Sequence, residues 1–444
     1  MPLKKIIKKN FILALIFVAS LYINNFYLDW SVAPSYFNDT NGYLQITNEI
    51  SQGKFPSLAV RSPVYPIFLL IPYVTHSFPL AVKFSLVLTA FSFVLLYKIF
   101  FRLTKNKWLS VFSVLFINLD YSIIQYQAIL QTESISIPLF IILFYLHLIQ
   151  TENNQSKKHL VLTIIFDVLI ILLRPSLIII PISFYIVKII LTKFKFIKSA
   201  NKKIALRFLS IGLFINLSVV VAQSAINYTK DNMFAVSDVS QINMLGKFIQ
   251  YNYLDKEYTN PPDLLPKTVK IFNDLNKPDS PHVLLDEMTN QKLVYETFTQ
   301  HIYAMNQFIF ENNKLDFHLK TLKLIPQNFK TDRSHYVWYK LEYQNSKFVI
   351  TIENIFNKLN QYKLICFLIS TGIAVYLFTQ KQYPKFICLA LILASILSTI
   401  VTITYFSYDE YDRLKIHIEP FLDFLVIYSI YFIFTKIIRF LEIK

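Results

Sequence analysis

Acidic and arginine side chains recur where the long apolar runs of this sequence begin or end. Asp39 and Arg61 follow the first apolar run, and Glu133 precedes a later one. Arg174 separates two apolar runs, and Arg413 stands shortly before the last. A carboxylate can take the proton from a reacting hydroxyl, and the planar guanidinium group of arginine binds phosphate through two parallel hydrogen bonds. These residue types can carry proton transfer and anion binding, and their positions at the ends of apolar runs predict a shared polar site.

Further residues of the same segments are candidates for substrate binding: Tyr43, Tyr65, Asp120, Glu133 and Glu419. The charged residues also have structural interpretations. Asp39 can cap a helix over 40–50. Arg174 can mark a tight helical turn at the membrane interface, and Glu133 can favour a helix dipole. The group 409–413 can be an exposed charged turn. Because these charges come from four separate turns, a shared site explains them better together.

The elements that must position these residues are apolar. Of the 444 residues, 54% are hydrophobic and 16% are charged, whereas soluble proteins carry about 25% charged residues. Runs of about 20 apolar residues, long enough to cross a bilayer, recur along the chain. They lie approximately at 11–28, 80–101, 108–124, 133–150, 159–173, 176–192, 204–226, 363–379, 385–405 and 418–438. The sequence predicts an all-α integral membrane protein with about ten transmembrane helices. The shorter run 64–75 holds two prolines, and we expect it to enter the membrane face without crossing.

Basic residues mark alternate connections between these runs. They cluster at 4–9, 98–107, 157–158, 193–203, 381–385 and 436–444. The other short connections hold almost no lysine or arginine. The positive-inside rule places the basic connections in the cytoplasm, so both termini are predicted there and the candidate site lies on the opposite face. We interpret the run 11–28 as a retained signal anchor, because no clear cleavage site follows it.

Two longer connections are predicted on the non-cytoplasmic side, at 29–63 and 227–360. Hydrophobic residues at helical spacing run from Val294 to Ile309 within the second, which indicates a mainly helical extracytoplasmic segment. The predicted organisation has three parts: an N-terminal transmembrane module over 1–226, the loop domain 227–360, and a C-terminal transmembrane module over 361–444.

Composition excludes several classes of protein. The net charge of +16 would indicate nucleic acid in a soluble protein, but here the basic residues flank apolar runs, and we expect no nucleic-acid partner. Cys366 and Cys388 both lie in apolar runs, which supports neither a disulfide framework nor a cysteine-based metal site. Five glycines in the whole chain argue against a glycine-rich nucleotide-binding fold.

Four motifs follow one another in the polar turns. They are Asp39-Thr-Asn-Gly-Tyr43 with Arg61-Ser-Pro-Val-Tyr65-Pro, then Thr132-Glu133-Ser134, then Arg174-Pro175, and finally Tyr411-Asp412-Arg413 with Glu419-Pro420. This order resembles that of the C-type (GT-C) glycosyltransferases, polytopic enzymes such as the protein O-mannosyltransferases and the bacterial aminoarabinose transferases. The resemblance covers roughly 1–230 and 360–444, and the segment 227–360 lies outside it.

The resemblance implies transfer of a sugar, with inversion, from a polyprenyl-phosphate carrier to an acceptor hydroxyl at the cytoplasmic (inner) membrane of a bacterium. Asp39 is the implied catalytic base, and Arg61, Arg174 and Arg413 are the implied ligands of the donor phosphate. The implied partners are the lipid-linked sugar, membrane lipids, and an acceptor glycan, lipid or protein. No residues are predicted to bind a metal. Asp39 has no adjacent acid, and the participation of a divalent cation stays open.

Two other functions stay open beside this one: a transporter or flippase of lipid-linked sugars, and a polysaccharide polymerase or ligase of another type. A transporter should carry polar residues at mid-membrane depth, whereas the conspicuous charges of this sequence gather at one predicted face. A structural or receptor protein would not need charges from four turns. The sequence identifies neither the sugar, nor the acceptor, nor the length of the carrier.

Overall fold

The structure is a computed structural model of the chain. It describes residues 3–28, 34–36, 38–54, 61–152, 156–197, 201–231, 234–237, 239–293, 298–330, 346–408 and 411–442. Of the described residues, 82% are helical, and none of them forms a β-strand. An isolated bridge joins Ser35 to Ile129. The prediction of an all-α protein is therefore confirmed for the described part of the chain.

The helices follow the apolar periodicity of the sequence and are numbered here along the chain. They are α1 (Leu3–Leu28), α2 (Asn38–Ser51), α3 (Val64–Val74), α4 (Pro79–Thr104), α5 (Lys107–Ile117), α6 (Tyr121–Ile124), α7 (Glu133–Glu152), α8 (Lys157–Ile171), α9 (Ile179–Lys193), α10 (Lys202–Asp231), α11 (Val239–Gln250), α12 (Leu264–Asp274), α13 (Pro281–Asn290), α14 (Phe298–Leu324), α15 (Lys347–Asn360), α16 (Lys363–Thr379), α17 (Tyr383–Phe406), α18 (Tyr411–Lys415) and α19 (Glu419–Glu442). Polar side chains cap several of them, because a capping oxygen satisfies a backbone amide that the helix leaves free. Asn106, for example, accepts from the amide of Leu109 at 3.1 Å.

Seven stretches of the described chain are long and apolar enough to cross a membrane, and two bent helix pairs raise the number to nine. The seven are Phe11–Leu28, Pro79–Thr104, Glu133–Glu152, Pro175–Lys193, Lys202–Thr229, Tyr383–Phe406 and Arg413–Ile438. These features support a multi-pass membrane protein. The described chain therefore offers seven to nine candidate spans, against the about ten that the sequence predicts.

Two of the ten predicted spans account for most of this difference. The predicted span 108–124 is broken after Ile117, and its two parts meet at 63°; the break falls where Asp120 caps the short helix α6. The predicted span 159–173 corresponds to α8, which has 15 residues. At about 1.5 Å per residue, α8 is about 22 Å long and falls short of the ~30 Å hydrocarbon core.

The two ends of the helix bundle differ in charge. Arg102 near the end of α4 pairs with Glu152 at the end of α7, with 2.9 Å between Nε and Oε1. These helices therefore run in the same direction. Lys436 of α19 contacts the hydroxyl of Tyr376 of α16, near the ends of both helices. Lys98 near the end of α4 and Lys193 at the end of α9 lie at the same end of the bundle, which we call the lysine-rich end. The opposite end holds Glu133 and the starts of α7, α9 and α19.

Helices α11 to α14 form a second hydrophobic core, and the segment that follows them to residue 330 packs on the main core of the bundle through Ile325 and Phe329. We call residues 239–330 the helical domain. Ile302, Met305 and Ile309 of the predicted helical pattern are fully buried in this core, as the spacing predicts. Val294, which begins the pattern, lies outside the described residues.

Two amphipathic elements pack at the edges of the bundle. Helix α15, which sequence analysis grouped with the loop domain 227–360, packs on the bundle, and its Phe356 stacks on Phe116 at 4.9 Å between ring centroids. Helix α3, the short predicted run 64–75, has 11 residues and exposes Ile67, Ile71 and Val74. It is too short to cross a bilayer by itself.

Candidate functional site

Asp39 lies in the first turn of α2, where a carboxylate is favoured by the helix dipole. The start of this helix is tied to the segment before α7, because the Thr40 hydroxyl donates to the carbonyl of Leu130 at 3.1 Å. One oxygen of Asp39 lies 2.5 Å from Nη2 of Arg61. The other lies 2.9 Å from Nη2 of Arg413. The carboxylate thus joins two arginines that are far apart in the sequence.

Glu133 begins α7 and joins a second pair of arginines. Its Oε1 lies 2.9 Å from Nη2 of Arg174 and 3.0 Å from Nε of Arg413. The Thr132 hydroxyl donates to its other oxygen at 3.1 Å. Glu133 is 1% exposed, and a buried carboxylate is costly unless oppositely charged groups lie close to it.

Arg174 is positioned by the sharp connection between α8 and α9. Its backbone is extended, with φ −157° and ψ 128°, and Pro175 then begins a short 3₁₀ turn. The amide of Val64 donates to the carbonyl of Leu172 at 3.2 Å, which fastens this connection to the start of α3. The arginine side chain is buried and is directed at Glu133.

These contacts form one chain of alternating charges, Arg61–Asp39–Arg413–Glu133–Arg174, which we call the ion-pair network. Its members come from four separate segments and meet at the end of the bundle opposite the lysine-rich end. Three guanidinium groups and two carboxylates give the network a net charge of +1. Such a group is costly to bury, and its surplus positive charge suits an anion.

Asp39 ionises more easily than an ordinary aspartate. Burial opposes its ionisation, but the charges of Arg413 and Arg61 outweigh burial, and the pKa of this carboxyl is lowered below its usual value. Asp39 is therefore a carboxylate at neutral pH. Its two arginine partners also make it a weaker base than a free carboxylate for as long as both contacts persist.

Two of the predicted binding residues lie beside the network. The guanidinium of Arg61 stands over the ring of Tyr43, 5.4 Å from its centroid. Tyr43 in turn contacts Tyr65 edge to face, with 5.0 Å between ring centroids. Burial raises the pKa of the Tyr43 hydroxyl, so this side chain stays neutral. The tyrosines fix one flank of the network, and their contact with substrate stays a prediction.

The other two predicted binding residues, Asp120 and Glu419, contact residues outside the ion-pair network. Asp120 is buried and accepts from the amide and the hydroxyl of Ser122, at 2.9 and 2.7 Å, as a helix cap does. Glu419 is fully buried and contacts Lys363. Asp409 and Glu410, which sequence analysis placed at the same turn as Arg413, lie outside the described residues, as does the side chain of Asp412.

The structure also contains a buried polar cluster that sequence analysis missed, made of residues from α7, α8 and α9. His147 Nε2 lies 2.9 Å from Oδ1 of Asp167, and Tyr185 donates to Oδ2 of the same carboxylate at 2.9 Å. Lys188 Nζ lies 2.6 Å from His147 Nδ1 and also contacts Gln150. The expectation that unusual charges gather at one face is therefore wrong. Asp167 and Lys188 inside the predicted spans 159–173 and 176–192 were the signal that could have revealed the cluster.

Potential metal ligands do not cluster in the described part of the chain. Among the described residues, no three or more His, Cys, Asp or Glu side chains are placed to hold a metal ion together. Asp39 and Glu133, the two acids of the ion-pair network, are both engaged by arginine.

No model of a known protein family matches this chain, and no curated protein matches it. The features of this chain that bear on its function are the order of its motifs and the geometry of the ion-pair network.

Proposed function

We propose that this protein is a multi-pass glycosyltransferase that moves a sugar from a polyprenyl-phosphate carrier to an acceptor hydroxyl, with inversion, on the extracytoplasmic face of a bacterial cytoplasmic membrane. The observation that carries this proposal is the ion-pair network, in which Asp39 and three arginines from distant segments meet at one end of a membrane helix bundle. The GT-C-like order of the motifs supports the same function.

The charge of the network suits such a donor. A sugar linked to a polyprenyl phosphate is a phosphodiester with one negative charge, which matches the network's charge of +1. When the bond between the sugar and the phosphate oxygen breaks, its electron pair stays with the phosphate, and the leaving group gains a second negative charge. Arg61, Arg174 and Arg413 would stabilise this charge more in the transition state than in the bound donor, as catalysis requires.

The surroundings of the network suit a lipid carrier. Helix α3 begins three residues after Arg61 and exposes Ile67, Ile71 and Val74, each more than half accessible. An exposed apolar face next to fixed guanidinium groups fits a ligand with an apolar chain and a phosphate head. A soluble phosphate donor would gain nothing from this apolar face.

Asp39 is the proposed base. The acceptor oxygen attacks the anomeric carbon, and its proton passes to a carboxylate within hydrogen-bond reach. In the structure, Arg61 and Arg413 engage both oxygens of Asp39. A bound phosphate competes for the same guanidinium groups, and it would thereby release Asp39 to accept the proton.

The test is incubation of the purified protein with a panel of polyprenyl-phosphate sugars, each offered a panel of glycan, lipid and peptide acceptors with free hydroxyl groups, and assay of released polyprenyl phosphate. We expect release with at least one donor and a loss of about 10²–10⁴-fold in Asp39→Asn. Asp255→Asn is the matched control, because Asp255 pairs with Lys277 within the helical domain. Equal turnover by the two variants would remove Asp39 from the mechanism, and the absence of release from every donor would refute the transferase.

A transporter of lipid-linked sugars is the second candidate, and the buried cluster around His147, Asp167 and Lys188 favours it. Ionisable residues inside a membrane bundle often mark a transport pathway or a proton relay. A transporter would move the labelled lipid-linked sugar across a vesicle membrane without cleaving it. Intact donor on the far side, with no free polyprenyl phosphate, would replace the first proposal by this one.

A further inference from the structure

The short helix that carries Arg413 is held at its start by α11 and at its end by the segment that follows α14. At its start, Lys247 of α11 donates to the hydroxyl of Tyr411 at 3.1 Å. At its end, Lys415 donates to the carbonyl of Asn328 at 2.9 Å and also contacts the carbonyl of Lys330. Arg413 lies midway between these two contacts. Helix α18 has five residues, and a helix of this length needs such support because isolated short helices do not persist in water.

The segment just before α18 is fastened to the same domain. The side-chain amide of Asn243 donates to the carbonyl of Phe406 at 3.1 Å. Gly246 lies against the ring of Tyr408 so closely that a Cβ atom there would come within 2.5 Å of it. The Tyr408 hydroxyl donates to the carbonyl of Asp279. The helical domain and the residues that precede Arg413 are therefore closely packed, with no room for a side chain at Gly246.

The contacts that hold α18 are costly to form and are therefore specific. Lys247 and Lys415 are both fully buried, and a buried ammonium group must find acceptors for its protons. Lys247 also lies over the ring of Tyr411, 5.3 Å from its centroid. Burial lowers the pKa of Lys247 to about 8, so docking disfavours its charged form, and the hydrogen bond to Tyr411 offsets part of that cost.

We propose that docking of the helical domain sets the position of Arg413, with Lys247 and Lys415 as positioning residues, and so controls phosphate binding at the ion-pair network. The inference rests on the proposed function for the identity of the anion. In the docked arrangement, Arg413 links Asp39 to Glu133. Undocking withdraws Arg413, which leaves two neutral ion pairs and removes the positive charge that attracts phosphate.

The test compares two valine substitutions. Gly246→Val places a branched side chain against Tyr408, whereas Gly372→Val is the control, because a Cβ at Gly372 meets nothing within 4 Å. We expect Gly246→Val to bind a polyprenyl phosphate about 10- to 100-fold more weakly, which is the loss of one charged hydrogen bond. The Gly372→Val affinity should equal that of the unaltered protein. Inorganic phosphate, run beside the lipid, shows whether the apolar chain contributes.

A second measurement separates positioning from general loosening. Withdrawal of Arg413 removes a charge that lowers the pKa of Asp39. We call the fall in melting temperature on acidification the acid limb. This limb should move to higher pH in Gly246→Val. Loosening alone would lower the melting temperature without moving this limb. Lys247→Met, which adds no bulk, should move it in the same direction, and Lys247→Arg should restore it.

The outcomes separate the two proposals. If the unaltered protein fails to bind polyprenyl phosphate, the proposed function is wrong, and the acid limb alone then decides whether docking positions Arg413. If Gly246→Val and Lys247→Met both keep the affinity and the acid limb of the Gly372→Val control, the helical domain does not position Arg413 and the inference is overturned.

Discussion

Arg413 is the central member of the ion-pair network, and its replacement by glutamine tests the network most directly. Its guanidinium contacts Asp39 at 2.9 Å and Glu133 at 3.0 Å. Glutamine keeps a polar group of moderate size but removes the charge. The variant leaves the pairs Arg61–Asp39 and Arg174–Glu133, each neutral, so the net charge of the network falls from +1 to zero.

The size of the effect follows from the charged hydrogen bond that Arg413 would make to the phosphate. A charged hydrogen bond contributes about 1.5–3 kcal/mol, and about 1.4 kcal/mol corresponds to a factor of ten. Affinity for the donor phosphodiester should fall by about 10- to 100-fold. Because the leaving phosphate gains a second charge, kcat/KM should fall by a larger factor than the affinity for the donor.

The assay is release of polyprenyl phosphate at several donor concentrations, together with direct binding of the lipid in detergent. Arg102→Gln is the matched control. Arg102 also pairs with a glutamate, Glu152, at 2.9 Å, but at the lysine-rich end of the bundle. Its replacement removes the same charge from the protein and should leave binding and turnover unchanged.

The pH dependence of stability gives an independent measurement. Because the pKa of Asp39 is lowered in the folded protein, its carboxylate stabilises the fold above its unfolded pKa, and this contribution is lost as the pH falls through the folded pKa. Arg413 exerts the stronger of the two main arginine attractions. In Arg413→Gln this contribution should therefore be smaller at neutral pH, and its loss on acidification should be complete at a higher pH than in the unaltered protein.

Two results would refute this reasoning. Donor affinity in Arg413→Gln equal to that in Arg102→Gln would show that Arg413 does not contact the phosphate. An unchanged acid limb of the melting temperature would show that Arg413 does not contribute to the ionisation of Asp39.

Three further predictions concern the rest of the molecule. Lys188→Met removes the amine that contacts His147 and Gln150 in the buried cluster, and we expect a loss of about 1–3 kcal/mol of stability, because these polar partners stay buried without it; an unchanged melting temperature in detergent would contradict this. Gly212→Ala brings a Cβ within 2.4 Å of the Tyr185 ring and should cost about 1–3 kcal/mol through overpacking, with Gly372→Ala as the neutral reference. Cysteines at the exposed positions Leu315 and Lys381 should label from opposite sides of the membrane, with the first accessible from outside. Equal labelling of both from one side would overturn the proposed topology, and the native cysteines, which are buried, should add little background.

The parts of the site that are encoded locally could be predicted from the sequence. The acid at the start of α2, the acid that opens α7 and the arginine at the turn after α8 each stand at the end of an apolar run. Hydropathy shows where such runs end. Positive-inside counting then puts these ends on one face. Arg174 follows from these local signals, whereas the grouping of Arg61, Arg174 and Arg413 as phosphate ligands depends on the resemblance in motif order.

The pairing of these residues could not be predicted, because it depends on how distant helices pack. Glu419 follows Arg413 closely in the sequence, yet it faces Lys363 at the start of α16, and that contact is fixed by the packing of α16 against α19. Asp120 looked like a site residue because it stands next to a polar turn. The break between α5 and α6, which hydropathy does not reveal, makes it a cap instead.

The order of the network along the chain bears on how the protein is made. Membrane proteins emerge from the ribosome with their N-terminal segments first, and more than half of the chain separates Arg174 from Arg413. Until α18 has emerged and docked, Arg61 can neutralise Asp39 and Arg174 can neutralise Glu133, since both arginines emerge before Arg413. A nascent chain would therefore hold two ion pairs with no net charge, which would not attract a phosphate headgroup. Insertion of the later helices would activate the site in a single step, after the bundle that shields it has formed.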